Sequence, residues 1–114
     1  MGFKLDKPGT YKWKVTVEVP VDYGKHDKQE FYGEFKRITQ SRIKELIELV
    51  ASGDLIDVDV VKEVLVGWEG IEDDEGNELK FSQSNLKQLL EVPMVATAIG
   101  TAFFESYTGA KRKN

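Results

Sequence analysis

Nine consecutive residues near the start of the chain alternate without a break. In Tyr11-Lys12-Trp13-Lys14-Val15-Thr16-Val17-Glu18-Val19, the apolar Trp13, Val15, Val17 and Val19 take one side, and Lys12, Lys14, Thr16 and Glu18 take the other. A helix cannot keep a period of two, so the run predicts a strand with one face on a core. Pro20 is expected to end it, because proline donates no ladder hydrogen bond. Val21 to Asp27 reads as a polar loop, and Gln29 to Arg37 as the returning strand, with Phe31, Gly33 and Phe35 on one face. A lone hairpin is marginal in water, so further strand partners are expected.

After Ile38 the period changes. Thr39 or Ser41 suits a helix N-cap, and Ile43, Leu46, Ile47 and Val50 follow at helical spacing until Ser52-Gly53-Asp54. A second helix is predicted over Val58 to Val66, although its many valines also suit a strand. Glu69 to Glu78 is acidic and turns around Asp74-Glu75-Gly76-Asn77, and Leu79 to Phe81 reads as a short extended piece. Ser82 caps a third helix with Leu86, Leu89 and Leu90 inward. Pro93 fits the first turn of a fourth helix, which runs to about Tyr107 and stops at Gly109.

The expected class is α+β. An N-terminal antiparallel hairpin or small sheet packs with about four helices, and the C-terminal half is mostly helical. One domain covers 1–114, divided into a hairpin part (1–38), a helical part (39–109) and a flexible basic tail (110–114).

Charge and composition exclude several functions. The chain carries −4 overall, and the acid is concentrated between residues 39 and 93, which carry −8 against +2 on either side. An acidic middle disfavours nucleic acid as the main ligand. Cysteine is absent, which excludes a disulfide scaffold and a thiol nucleophile. The N-terminal residues show no apolar signal segment, and the longest uncharged run, Val92 to Phe104, is 13 residues, too short to span a bilayer. No membrane association is expected.

Catalytic and metal chemistry find little support. Threading an EF-hand loop through Gly76 puts Ile71 first and Ser82 twelfth, where oxygen ligands and a bidentate Glu are required. A solvated turn is the better reading. His26, the sole histidine, sits in the hairpin loop, and neither a nucleophile elbow nor a phosphate-cradling glycine loop is present. No enzyme activity, cofactor or metal is therefore expected. Trp13, Phe31, Tyr32 and Phe35 interleave with Lys12, Lys14, Lys36 and Arg37, as in sheets that stack bases, but most of these aromatics share the apolar face and suit a core.

The fourth helix is unusual. Met94, Val95, Ala98, Ile99, Ala102, Phe103 and Tyr107 make a wide apolar face, and Ala96, Gly100, Thr101 and Phe104 leave little polar surface. A helix apolar nearly all round must be buried, in its own domain or against another chain. The two account for it equally well. These seven residues are the candidate partner-binding or oligomer-binding set.

The order of these elements resembles a known family. Glu30-Phe31-Tyr32-Gly33-Glu34-Phe35-Lys36-Arg37-Ile38 is followed by Val64-Leu65-Val66-Gly67-Trp68-Glu69-Gly70-Ile71, then by the acidic turn with Gly76. Phe81-Ser82 opens a helix containing Leu89-Leu90, Pro93 follows, and Lys113-Asn114 closes the pattern. Its most specific positions are Gly67, Trp68, Gly70, Gly76, Phe81, Ser82 and Pro93. In this spacing the chain is similar to the tail assembly chaperones of long-tailed bacteriophages.

The resemblance implies a holding chaperone for the tape measure protein, the long helical chain that sets tail length. Such a protein keeps its client soluble, helps recruit tail tube subunits and forms homo-oligomers. It acts in the host cytoplasm during assembly and is absent from the finished virion. It uses no cofactor. Competing readings are a structural tail or head-tail connector protein, and a small nucleic-acid-binding module using Lys12 and Lys14.

Overall fold

The computed structural model describes residues 2, 3, 5 and 9–109. Strand β1 (Thr10–Val21) runs through a short turn (Asp22–Gly24) into β2 (Lys25–Lys36). Helices α1 (Gln40–Ser52) and α2 (Asp57–Val64) follow, then β3 (Leu65–Glu69), α3 (Gln83–Leu90) and α4 (Val95–Thr108). The sheet is antiparallel in the order β1-β2-β3. The fold is α+β, as the alternation and the later helical periods predict. The expected basic tail, 110–114, lies outside the described residues.

The hairpin is longer than expected. Pro20 does not end β1: it pairs with His26, and Val21 with Lys25, so the predicted loop shrinks to Asp22–Gly24. The reason is position, because β1 is an edge strand, where a sheet tolerates proline. Twelve residues of strand extend about 40 Å, which accounts for the molecule's long axis of 46 Å. Val15 and Val17 of β1 and Phe31 and Phe35 of β2 are buried, whereas beyond Glu18 and before Glu30 no residue is fully buried. The distal half of the hairpin therefore overhangs the core. At its tip Tyr23 adopts φ 66° and is 94% exposed.

The third strand begins inside the segment read as helical. α2 ends at Val64, and Leu65 begins β3, which pairs with β2 through Gly33↔Trp68 and Glu34↔Gly67. Phe35 pairs with Leu65, so Val66 is left without a partner and β3 bulges there. β-branched side chains suit both conformations, and here the open edge of β2 decides. The predicted helix over Val58 to Val66 is thus corrected to a helix followed by a strand.

The caps are mostly where the sequence puts them. Thr39 Oγ1 accepts from the Arg42 backbone N–H, and Ser82 Oγ accepts from that of Asn85. Asp59 accepts from Ile56 N–H at the start of α2, and Gly53 and Gly109 end α1 and α4 in left-handed conformations. Pro93 is a correction. It lies in the connection between α3 and α4, because Met94 takes φ 74° and helical geometry starts only at Val95. The two helices meet at 105°.

One core joins the sheet to the helices. Phe35, Phe103, Leu46, Ile99, Val15, Val60, Val61 and Val64 are its largest fully buried side chains. The Phe103 ring meets Phe35 at a tilt, 5.5 Å between centroids, and α4 also packs on α2, where Thr97 Oγ1 donates to Asp57 Oδ2 at 2.8 Å. α1 is tied to α2 by a two-bond fork from Arg42 to the Glu63 carboxylate, at 2.6 and 2.8 Å.

Candidate functional site

The seven apolar residues of the last helix divide sharply. Val95, Ile99, Ala102 and Phe103 are buried in the chain's own core. Tyr107 is half-buried in an aromatic cluster, 5.2 Å from Phe103 and 5.9 Å from Tyr11. Burial pushes the neighbouring Tyr11 hydroxyl's pKa up, against the lowering effect of its 2.7 Å hydrogen bond with Ser106. Ala98 is half-buried and Met94 is 49% exposed. In the folded chain Met94 is thus the exposed residue of the seven, Ala98 and Tyr107 are partly exposed, and Val95, Ile99, Ala102 and Phe103 are buried, because α4 is the helix that closes the sheet and α2 together. Gly100 belongs to that packing too: a Cβ there lies 3.5 Å from Asp57 Oδ1.

Two grooves flank α4. The first, about 800 Å³, lies against β1 and is lined by Trp13, Lys14, Thr16 and Glu18 on one side and Met94, Thr97, Ala98, Thr101 and Ala102 on the other. The second, about 470 Å³, lies between α1 and α4 and is lined by Ile47, Val50, Ala51, Thr101, Phe104, Glu105 and Thr108. Ile47, expected inward, is 47% exposed and contributes to this wall. Trp13, placed with the core valines by alternation, is 40% exposed.

The grooves rest on Trp13, Ile47 and Phe104, which the sequence reading notes but does not place in the candidate set. Signals for them exist. Leu46-Ile47 gives α1 a stripe wider than one neighbour can cover, and Leu46 takes the core side. Trp13 sits opposite Gly33, so no side chain covers it from the paired position.

The segment from Gly67 to Ser82 is a structural join. Trp68 Nε1–H donates to the Leu79 carbonyl at 2.6 Å and its ring meets Phe81 edge-on at 4.9 Å, which pins both legs of the acidic turn. Asp73 Oδ1 accepts from the N–H groups of Glu75 and Asn77, so this carboxylate is spent on the turn itself. Gly70 and Gly76 take φ 92° and 82°, and Gly70 also packs on the Phe31 backbone. Gly67 faces Glu34, whose carboxylate a Cβ would approach to 2.7 Å. Among the described residues, no group of three or more His, Cys, Asp or Glu side chains is arranged to hold a metal. His26 is exposed near the hairpin tip.

The fold defines a small α+β domain with a projecting hairpin and two grooves beside one central helix. Residues 29–107 match the family described as YdaY prophage protein, and the chain belongs to this family. It is thus a phage- or prophage-derived protein. The matched span begins within β2 and ends one residue short of the end of α4, so it includes the α1/α4 groove apart from Thr108 and leaves β1 outside. No curated protein and no solved structure matches the chain. Among the described residues, no single helix is long and apolar enough to cross a membrane.

Proposed function

We propose that this prophage protein is a non-catalytic tail assembly chaperone: it binds the tape measure protein, keeps it soluble and helps recruit tail tube subunits. It acts in the host cytoplasm as an oligomer and leaves before the virion is complete. The observation that carries the reading is the groove between α1 and α4. Its walls are two helices of 13 and 14 residues, each about 20 Å long, enough to seat some four turns of a client helix. Ile47, Val50 and Phe104 supply apolar floor, and Thr101, Glu105 and Thr108 supply a polar rim. This is the helix-in-groove mode, in which an amphipathic helix lays its apolar face between two others. Many copies on one long client gain from multivalency, so each contact can be weak.

The test is co-expression with fragments of the tape measure protein of the same prophage. The chaperone raises the soluble fraction of at least one fragment and is retained by it in a pull-down. No rescue and no retention across the whole client defeats the reading. Mass spectrometry of purified particles tests the location: a structural tail or connector protein is abundant there, whereas a chaperone is absent.

A further inference from the structure

We propose that the open edge of β1 pairs with β1 of a second copy of this chain, antiparallel and centred on Val15, to give one continuous six-stranded sheet. Among the described residues, the sheet order leaves one side of this twelve-residue strand without a neighbouring strand. Its hydrogen-bonding phase follows from one contact. Arg37 N–H donates to the Gly9 carbonyl, and these residues stand opposite each other in the β1/β2 register. A direct bond between opposed residues marks a hydrogen-bonded pair, and such pairs alternate along an antiparallel ladder. Odd-numbered residues of β1 therefore bond to β2. Thr10, Lys12, Lys14, Thr16, Glu18 and Pro20 turn their backbone groups to the open side. Pro20 fits this phase, since its missing N–H falls where β2 needs none.

The larger groove runs along that edge. It is lined by residues from both faces of β1, Trp13 on one and Lys14, Thr16 and Glu18 on the other, and reaches Lys28 and Glu30 of β2. Its far wall on α4 presents the small Ala98, Thr101 and Ala102 in the middle, with Met94, Thr97 and Glu105 beside them.

Charge selects a second copy as the occupant. With the two-fold axis at Val15, Lys12, whose ammonium also pairs with Glu69 at 3.0 Å within its own chain, faces Glu18 of the other copy and Glu18 faces its Lys12, while Lys14, 3.8 Å from its own Glu30, faces Thr16. On the core side, Trp13 faces Val17 and Tyr11 faces Val19. Every outward backbone group then meets an outward partner, with Pro20 confined to the end of the ladder. Centring on Lys14 opposes two lysines, and centring on Thr16 moves Pro20 inward against Lys12. Registers displaced by one residue set outward groups against inward ones. Such a two-fold pairing is self-complementary and closed, and opposite charges directly across a ladder stabilise it.

The inference concerns the chain alone and does not depend on what client it holds. Sedimentation equilibrium of the purified full chain at tens of micromolar is expected to give about twice the 12.9 kDa chain mass. Lys12→Glu sets carboxylates against each other at both symmetric positions, and Glu18→Lys sets ammonium groups there. Each weakens self-association by roughly ten-fold or more. An equimolar mixture of the two variants associates again, as does the double variant Lys12→Glu/Glu18→Lys. Circular dichroism and an unfolding midpoint on each variant show that the fold persists. A monomeric wild type, association untouched by either single change, or a mixture that stays monomeric overturns the proposal.

Discussion

Trp68 shows how one side chain joins two parts of the chain. Its indole N–H closes on the Leu79 carbonyl, across the acidic turn from its own strand. Trp68→Phe keeps the ring contact and deletes that bond, so urea unfolding should show a loss of about 1 kcal/mol. The glycines around it are not equivalent. Gly70→Ala forces a Cβ onto a backbone at φ 92° and should lower the unfolding midpoint. Gly67→Ala meets the Glu34 side chain, whose carboxylate accepts from Thr10, but at no positive φ, and should cost less. Gly100 has helical neighbours and ordinary space beside Asp57. Gly100→Ala is expected to stabilise by up to about 1 kcal/mol through helix propensity, measured in the same way. Glu63 carries a pH signature. The Arg42 hydrogen bonds hold its carboxyl below the ordinary value of 4.5, with burial acting against them. The stability it contributes is complete above about pH 4.5 and is lost as pH falls through the lowered folded value. Glu63→Gln should therefore be the less stable chain at pH 7, and its deficit against wild type should shrink in acid. A series of unfolding midpoints from pH 7 to pH 3 measures this.

At the scale of elements, the last helix changes meaning. Ile99 and Phe103 are fully buried between the sheet and α2, so Ile99→Asp and Phe103→Asp should unfold the chain rather than merely block a contact. Ile47→Asp adds a charge to a half-exposed position on α1 and should leave circular dichroism and the unfolding midpoint nearly unchanged. Much of this architecture was legible in the chain. The alternation of Tyr11 to Val19, the Thr39 and Ser82 caps and the Gly109 stop all depend on local periods and local hydrogen bonds. What escaped depends on neighbours distant in sequence. Pro20 stays in a strand because β1 is at an edge, and Val64-Leu65-Val66 becomes a helix end and a strand start because β2 offers an edge. Pro93 lies outside its helix because Met94 turns left-handed to set α4 at 105° to α3.

At the scale of the whole molecule, α4 is buried by the sheet and α2 on one side and bordered by a groove on each flank. The candidate site was only half legible for that reason. Periodicity identified α4 as too apolar for an ordinary surface, but not which neighbours cover it. Once they are in place, the open apolar surface shifts to Ile47, Val50 and Phe104 on one flank and to Trp13, Met94 and Ala98 on the other. The central claim is that the α1/α4 groove of this prophage protein holds a helix of the tape measure protein. The most direct measurement is isothermal titration of helical tape measure segments into the wild-type chain and into Ile47→Asp. The account predicts that at least one segment binds the wild type and that its affinity falls at least ten-fold in the folded variant, about 1.4 kcal/mol. Equal binding to both chains, or no binding of any segment, would contradict it.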